Sequence, residues 1–399
     1  MVVLDLTQIM AGPFCTMLLA DMGAEVIKVE RPGGGDDSRR LGPPFLGVAD
    51  PADPTGESTA FLGLNRNKKS VVLDLKSPRG VDAVRRIAMK SDVLVENWRT
   101  GTMDGLGLGY AALSKLNPAL IYCSISGFGH TGPYAGRGGF DLIAQGMSGL
   151  MSITGHPDSH PVKVGVPIAD LNAGVFSAYG ILAAYTHRLK TGKGQFLETS
   201  LLEAAMAYTV YESMIYLATG QVSGPLGSSH RLSAPYQALR TKDGYINLGA
   251  ANQANWERFA RVIGRADLLA DPRFTLNSDR LQNRAALEAK LEKTLVSRTR
   301  AEWLALLDSA GVPAGPIYDM AEVYADPQVQ ARGMRTDAPH ARLGTVSHIG
   351  LPVKLSDTPG SVRTAAPVLG QDTDEVLEWA GYSNDEIAAL RRDGTAGAR

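Results

Sequence analysis

The chain has 399 residues, of which 44% are hydrophobic and 20% charged, and its formal net charge is −1. This composition is typical of a globular protein long enough for two domains, and it argues against a nucleic-acid-binding surface, a polybasic membrane patch or a disordered chain. The longest apolar stretch, around residues 175–185, is too short to span a bilayer.

Strand and helix patterns alternate over the first 220 residues. Residues 2–6 and 24–30 predict buried strands, and Pro13 is suited to opening the helix between them, so the chain begins with a βαβ unit. Later strands are predicted at 70–75, 93–96, 120–125 and 195–199, and helices at 78–91, 110–116, 140–151, 171–189 and 201–219. The pattern predicts an α/β fold with an open, parallel, Rossmann-like sheet.

The pattern changes after residue 220, where a Gly/Ser-rich linker begins. A hairpin is predicted at 238–248, amphipathic helices at 255–263, 284–296 and 300–309, short strands within 341–354, and helices at 372–380 and 384–392. The final stretch has few apolar residues for a core of its own. We therefore expect residues 330–399 to pack back on residues 1–220 and complete a large domain, with residues 221–329 as a smaller α+β domain.

Metal and redox chemistry are not expected. Cys15 and Cys123 lie within apolar patterns, which predicts reduced core thiols in a cytoplasmic protein. The seven histidines show no metal-ligand spacing. The first βα turn, residues 8–13, has one glycine instead of a dinucleotide fingerprint, so NAD is not expected even though Glu30 ends the second strand.

Asp170 lies where a proline-stiffened segment meets the helix predicted at 171–189. The unpaired N–H groups and the dipole of a helix N-terminus favour an ionised carboxylate. From position alone, a helix N-cap is the more frequent role for such a residue, and a nucleophilic carboxylate is the alternative.

Several loops follow the carboxyl ends of predicted strands, where open α/β sheets bind ligands. The loop at 30–37 carries Arg31, residues 65–69 are basic, and residues 96–99 and the glycine-rich 126–133 follow later strands. Each is a candidate contact to a phosphate-bearing ligand, and each is also compatible with a solvated surface loop. His130 has no carboxylate or nucleophile nearby in sequence, which favours a loop role.

Together, these motifs resemble those of the class III CoA-transferases, in order and over essentially the whole chain. The resemblance rests on residues 3–7 with 11–13, 23–30, 65–69, 95–97, 127–133, 139–141, Pro167 with Asp170, 191–195, 234–237, 311–313 and 369–373.

The resemblance implies that Asp170 is a nucleophile. In this family the aspartate attacks the thioester of an acyl-CoA and forms first a mixed anhydride and then an aspartyl-CoA thioester. CoA is then transferred to an acceptor carboxylate. It also implies an interlocked homodimer. Coenzyme A, as an acyl-CoA substrate, is expected to contact Ile9, Met10, Ala11, Arg31, Leu73, Asn97, Arg99, Arg137, Phe140 and Asp141.

Specific positions narrow the reaction. Phe140 replaces the histidine that related acyl-CoA racemases carry before the aspartate matching Asp141, which favours transfer over racemisation. Met10 replaces an amide side chain of oxalate-specific members and argues against oxalate. Gly105 replaces a basic residue, so Arg99 or Arg137 is expected to supply that phosphate contact.

The segments 35–45 and 121–126 are most similar to members that use succinyl-CoA and a short dicarboxylate such as glutarate. Candidate contacts to substrate are Gln145, His230, Arg231 and Arg39; a second carboxylate needs a cation or several N–H groups. An acyl-CoA racemase or epimerase and a catalytically silent CoA-binding protein remain the alternatives.

Overall fold

A computed structural model describes residues 1–397 of the chain. Its strands are β1 (Val2–Asp5), β2 (Glu25–Glu30), β3 (Phe45–Leu46), β4 (Glu57–Ser58), β5 (Lys68–Val72), β6 (Val93–Glu96), β7 (Ile121–Ser126), β8 (Phe196–Ser200), β9 (Tyr236–Arg240), β10 (Tyr245–Gly249), β11 (Ala314–Pro316), β12 (Arg335–His340) and β13 (Gly344–Ile349). Its α-helices are α1 (Ala11–Asp21), α2 (Thr59–Leu64), α3 (Pro78–Lys90), α4 (Thr102–Gly105), α5 (Tyr110–Leu116), α6 (Asp141–Met147), α7 (Leu150–Ile153), α8 (Ile168–Thr191), α9 (Leu201–Ala207), α10 (Val210–Thr219), α11 (Gln253–Val262), α12 (Asp267–Ala270), α13 (Asn277–Gln282), α14 (Arg284–Leu295), α15 (Arg300–Ser309), α16 (Met320–Ala325), α17 (Pro327–Ala331), α18 (Thr373–Trp379) and α19 (Asn384–Arg392).

Six strands form one parallel sheet in the order β5-β2-β1-β6-β7-β8. Numbered along the chain, these six strands run 3-2-1-4-5-6, the doubly wound order in which ligands bind where the strand order reverses, between β1 and β6. Apolar residues of α3 and α5 cover one face of the sheet, and those of α1 and α8 cover the other. The predicted α/β fold with a parallel sheet is confirmed.

The described chain divides into two compact units. The first comprises Met1–Leu150, Lys163–Met214 and the described part of Pro327–Arg399, and the second comprises Met151–Val162 and Ile215–Asp326. The second unit contains the antiparallel sheet β11-β10-β9. Helices α11, α14 and α15 pack on this sheet through a buried core that includes Trp256, Phe259 and Trp303.

Residues 370–397 cover the edge strand β5 of the parallel sheet. Ser70 N donates to Asp372 Oδ2 (2.8 Å), Val72 N donates to Thr373 Oγ1 (3.1 Å), and an isolated bridge joins Leu73 to Ala396. The edge strand thus finds hydrogen-bond partners in the first unit, although those partners are some 300 residues away in sequence.

Two predicted helices are interrupted. The helix expected at 201–219 breaks between α9 and α10, where Val210 has φ 31°, and the one expected at 140–151 breaks between α6 and α7, where Gly149 has φ 88°. Apolar periodicity continues through both sites, so it does not reveal either change of backbone direction. Cys15 and Cys123 are buried and free. Among the described helices, none is long and apolar enough to cross a membrane.

Four charged side chains are buried together where β1, β2 and β5 meet the first loop, which is residues 6–10 between β1 and α1. Lys28 Nζ lies 2.8 Å from Asp36 Oδ2, Lys68 Nζ lies 3.1 Å from Asp5 Oδ2, and all four side chains have no solvent exposure. Burial alone would raise the pKa of Asp5, but Lys28, Lys68 and two threonine hydroxyls together hold it below its usual value. Burial lowers the pKa of Lys68 to about 8, against the attraction of Asp5. Each charge therefore depends on its partners for compensation.

We expect Lys68→Met to lower the free energy of unfolding by about 3–5 kcal/mol, because it leaves Asp5 buried without its nearest cation. Lys69→Met is the matched control one residue along: Lys69 pairs with Glu25 and Glu375 at the surface, and such pairs are worth about 0–1 kcal/mol. Urea unfolding of the two variants measures the difference. Equal losses would contradict the role assigned to the buried pair.

Candidate active site

Asp170 lies in the first turn of α8, as its third residue, so the N-cap interpretation is wrong. Pro167 occupies the N-cap position, and its own side chain makes no capping hydrogen bond. The N–H group of Ala169 is instead bound by Asp141 Oδ1 at 2.9 Å. Because Asp141 performs this capping, the carboxyl group of Asp170 is left available for another role.

Asp141 and Gln145 fix the entry to α8. Asp141 Oδ2 accepts a hydrogen bond from Gln145 Nε2 at 2.7 Å, and Gln145 Oε1 accepts one from Val164 N at 2.9 Å. Both ends of the buried Gln145 amide are therefore occupied within the protein, which favours a supporting role over donation to substrate. The chain of contacts holds α6, the segment before α8 and the first turn of α8 together.

The electrostatic environment of Asp170 differs from the one expected at a helix N-terminus. Burial of the carboxyl group, followed by the nearby charge of Asp141, raises the pKa of Asp170 from 3.8 to about 7. Across residues 1–397 no hydrogen bond or ion pair reaches this carboxyl group. The helix dipole favours the ionised form, but burial and the charge of Asp141 oppose it and raise the pKa of Asp170.

Asp170 opens into a cavity of about 310 Å³ at the carboxyl ends of β6 and β7, which we call the Asp170 cavity. Its lining comes from the first loop, the loop after β6, the loop after β7 and the glycine-rich segment before α6. The residues are Gln8, Ile9, Met10, Ala11, Asn97, Trp98, Arg99, Thr100, Ile125, Ser126, Gly127, Arg137, Gly138, Gly139, Phe140, Asp170 and Leu201.

The first loop is fixed by side chains from outside it. Asn97 binds the backbone of Gln8 at both ends, accepting from Gln8 N and donating to Gln8 O at 2.8 Å each. Asn97 therefore contributes to the cavity mainly by shaping its wall. Met10 and Ala11 follow at the start of α1, whose first turn has no side-chain cap.

Two close backbone approaches set the cavity width. A Cβ atom on Gly174, one turn after Asp170, would lie 2.8 Å from the carbonyl oxygen of Ala11, so glycine lets α8 approach the start of α1. A Cβ atom on Gly127 would lie 2.6 Å from the Cα of Gly139, so the glycine-rich segments touch backbone to backbone. The first contact brings the start of α1 close to Asp170.

Two arginines line the cavity without a carboxylate partner among the described residues. Arg137 lies over the ring of Tyr134 with 4.5 Å between its guanidinium carbon and the ring centroid, and Arg99 is exposed beside Gly138. Phe140 is 72% exposed and stands immediately before α6. The Asp170 cavity therefore combines one half-buried carboxyl group, two available guanidinium groups and an exposed aromatic ring.

A second cavity of about 360 Å³, the Leu73 cavity, adjoins the first through Gln8 and Trp98, which line both. Its walls are largely aliphatic, from Leu6, Val29, Leu73, Leu75 and Leu106, with Arg31 among the lining residues. Arg31 forms an ion pair with Asp37. The two cavities therefore share Gln8 and Trp98 as a common wall.

The remaining predicted substrate contacts are Arg39, His230 and Arg231. Arg39 binds both carboxylate oxygens of Glu30 at 2.7 Å and stacks on Phe61 at 3.6 Å, so its guanidinium group is occupied within the protein. His230 and Arg231 belong to the second compact unit. His130 does not line the Asp170 cavity; its Nε2 atom lies 2.7 Å from Ser124 Oγ.

Sequence reasoning did not single out Gly174 or Leu201, and it gave no individual role to Gln8, Asp36 and Trp98, which lie within the segments 8–13, 30–37 and 96–99 that it considered. Leu201 follows β8 directly and Trp98 lies two residues after β6, so their position at the carboxyl edge of the sheet was a usable signal. Gly174 and Asp36 act through contacts distant in sequence, and no local pattern marks them.

The family model described as CoA-transferase family III matches residues 1–373. The mouse protein named succinyl-CoA:glutarate CoA-transferase is 41% identical over 389 residues, covering 97% of this chain and 87% of that protein. The Agrobacterium fabrum protein named succinate–glutarate CoA-transferase is also 41% identical and covers 94% and 93% of the two chains. A crystal structure of a CAIB/BAIF family protein from Brucella suis aligns with a TM-score of 0.85 and 40% identity, over 95% of this chain and 98% of that one.

The raised pKa of Asp170 predicts a pH-dependent gain in stability for Asp170→Asn. Between about pH 4 and 7 the folded protein holds a proton on Asp170 that the unfolded chain has lost, so this group costs stability as pH rises through that window. We expect the variant's advantage in free energy of unfolding to grow from pH 4 to pH 8. The upper bound is about 4 kcal/mol, at about 1.4 kcal/mol per pKa unit. A difference that stays constant with pH would contradict the raised pKa.

Proposed function

Since the chain belongs to CoA-transferase family III, we propose that it moves CoA from succinyl-CoA to a short dicarboxylic acid, with Asp170 as the covalent nucleophile. The observation that carries the proposal is the Asp170 carboxyl group, unpaired among the described residues and opening into a cavity beyond the carboxyl ends of the parallel strands. At a pH above about 7 this group is ionised and free to attack.

The reaction proceeds through four acyl transfers. A carboxylate oxygen of Asp170 attacks the thioester carbon, the C–S bond breaks, and a mixed anhydride and CoA thiolate form. The thiolate attacks the aspartyl carbon, expels the donor acid as its carboxylate and leaves an aspartyl-CoA thioester. The acceptor carboxylate then repeats these steps in reverse, giving the new thioester and free Asp170. No net proton is taken up, and exclusion of water preserves the acyl activation.

Backbone amides at the start of α1 are suited to stabilising the tetrahedral oxyanions. No side chain caps that helix, and Met10 and Ala11 line the cavity that contains Asp170. Amide donors fixed in place before the reaction stabilise developing negative charge without reorganising. The close approach of α8 to Ala11 at Gly174 keeps these amides near the nucleophile.

The two adjoining cavities suit the two ends of CoA. The aliphatic Leu73 cavity would take the adenine ring, and the pantetheine arm would pass Gln8 and Trp98 to reach Asp170. The thioester end would be surrounded by Ile9, Met10, Ala11, Asn97 and Phe140. Asp141 would not touch the substrate but would hold the first turn of α8 in place. Gly105 has open space around it, and Arg99, which lines the Asp170 cavity, would supply the cation for a phosphate.

A dicarboxylate as the acceptor is favoured by the cations of the Asp170 cavity. Arg99 and Arg137 lack carboxylate partners among the described residues, so each can bind a phosphate of CoA or the second carboxylate of a substrate. The similar mouse and Agrobacterium proteins are named for succinate and glutarate. We therefore propose succinyl-CoA as donor and a C4–C5 dicarboxylate as acceptor, with oxalate disfavoured by Met10.

The racemase alternative lacks support at the site. Abstraction of an α-proton requires a basic side chain beside the substrate, and Phe140 supplies none next to Asp141. His130 is hydrogen-bonded to Ser124 and is not among the residues that line the cavity. A single carboxyl group without a proton-transfer partner fits nucleophilic attack better.

We expect succinyl-CoA, added without acceptor, to form a covalent adduct on Asp170. Hydroxylamine would convert this adduct to a hydroxamate, detected as a mass shift on the peptide that contains residue 170. The adduct is expected to be absent from Asp170→Ala and unchanged in Asp158→Ala, a surface aspartate in the second compact unit. Glutarate should then yield glutaryl-CoA, read by mass, with oxalate as a comparison acceptor.

Other outcomes separate the alternatives. An acyl-dependent adduct with transfer to oxalate but not to glutarate would overturn the acceptor assignment alone. Exchange of deuterium into the α-carbon of a branched acyl-CoA without acceptor would indicate a racemase. Normal CoA binding by Asp170→Ala, with no activity in either protein, would indicate a silent binding protein.

We also propose that the protein is an interlocked homodimer. Helix α8 leaves Tyr179 71% exposed and Leu189 72% exposed, and Leu182 lies between them on the same helix, so a second copy of the chain would cover this apolar surface. Light scattering should give about twice the chain mass of 42.4 kDa. Differently tagged dimers should not exchange subunits over days under native conditions; a monomer, or rapid exchange, would contradict the proposal.

A further inference from the structure

We propose that Asp36 is a positioning residue for CoA transfer: its carboxylate holds Ile9 in a left-handed backbone conformation and thereby shapes the wall of the Asp170 cavity. The inference rests on the proposed function. The contacts that carry it are those of Asp36 with Ile9 and Lys28, which are separate from the contacts between Asp141 and the helix that carries Asp170.

Ile9 has φ 67°, a conformation that β-branched residues rarely adopt because the side chain clashes with the backbone. Such a residue persists only where its surroundings over-determine it, and these residues cluster at functional sites. Ile9 is half-buried and lines the Asp170 cavity. The strain is therefore located in a loop that lines the same cavity as the proposed nucleophile.

Asp36 supplies the contact that holds this conformation. Its Oδ1 atom accepts hydrogen bonds from Ile9 N at 3.0 Å, from Ser38 N at 2.8 Å and from Ser38 Oγ at 2.8 Å. Its Oδ2 atom pairs with Lys28 Nζ at 2.8 Å, with both side chains fully buried. Burial alone would raise the pKa of Asp36, but Lys28 and the backbone donors hold it below its usual value.

The same lysine fixes the other side of the loop. Lys28 Nζ also donates to Thr7 O at 2.8 Å, and Asn97 holds Gln8 between the two. Three consecutive residues, Thr7 to Ile9, are thus bound by side chains from three separate segments. The arrangement differs from simple stabilisation of a loop, because the held conformation is one that isoleucine does not adopt by itself.

The consequence for the reaction lies in the next two residues. Met10 and Ala11 carry the amides assigned to the oxyanion, and the backbone of Ile9 directs the chain into them. If Ile9 relaxed to an ordinary φ, those amides would move relative to Asp170, and a displacement of about 1 Å from the reacting geometry costs on the order of 100-fold in rate. Asp36 would therefore influence kcat more than the binding of succinyl-CoA.

The first test is Asp36→Asn, which leaves one acceptor oxygen to serve both Lys28 and Ile9. We expect kcat to fall by about 10–100-fold while KM for succinyl-CoA changes by less than about 3-fold. Because glycine adopts positive φ freely, Ile9→Gly in the Asp36→Asn background should restore at least about 5-fold of kcat. Asp37→Asn, which alters the neighbouring surface pair with Arg31, is the control and should change kcat by less than about 2-fold.

A second pair keeps the inference testable if Asp36→Asn does not fold. Ile9→Gly and Ile9→Ala both remove the side chain, but only glycine fits φ 67° without strain. We expect Ile9→Gly to keep a higher kcat and a higher Tm than Ile9→Ala. Equal values in the two variants would overturn the proposal.

A purely structural role for Asp36 would give a different result. In that case Asp36→Asn would lower Tm, while kcat per hydroxylamine-titratable site stayed at the wild-type value. Adding Ile9→Gly to Asp36→Asn would then not raise kcat. Either finding overturns the inference. A wild-type protein that forms no Asp170 adduct overturns the proposed function instead, before any variant is compared.

Discussion

The site depends on two ion pairs that have no access to water. Lys28–Asp36 and Lys68–Asp5 join β1, β2 and β5 to the first loop, and each charge is tolerated only because its partner is in place. Buried ion pairs contribute little net stability compared with apolar packing, but their geometry is strict. Here Lys28 binds the carbonyl oxygen of Thr7 and Asp36 binds the N–H group of Ile9, so the ion pair fixes the backbone beside the cavity.

A single neighbouring carboxylate has two effects on Asp170. Asp141 binds the first-turn amide of α8, which places Asp170 along the helix, and its negative charge helps raise the pKa of Asp170. Capping and the proposed nucleophilic role are thus divided between two aspartates. The arrangement explains how a carboxyl group at a helix N-terminus can remain unpaired: the first-turn N–H group of Ala169 is already bound to Asp141.

The sequence predicted the parallel sheet well, because buried parallel strands are short apolar runs with glycine or polar residues at their ends. It also led to Asp170, through an ordered set of motifs instead of any local signal. Other features depend on contacts between distant segments. The approach of Gly174 to Ala11, the hold of Asp36 on Ile9 and the orientation of the Gln145 amide are invisible in a linear pattern. The helix breaks near Gly149 and Val210 were not predicted, because apolar periodicity continues through both.

The covering of β5 by residues 370–397 has a consequence for synthesis on the ribosome. Strands β1, β2, β5 and β6 emerge early, but the hydrogen-bond partners of the outer strand are not translated until some 300 residues later. During that interval β5 presents unpaired amide and carbonyl groups, the kind of edge that recruits other chains. Lysines at 68 and 69, at the start of this strand, place charge there and oppose such pairing during the wait.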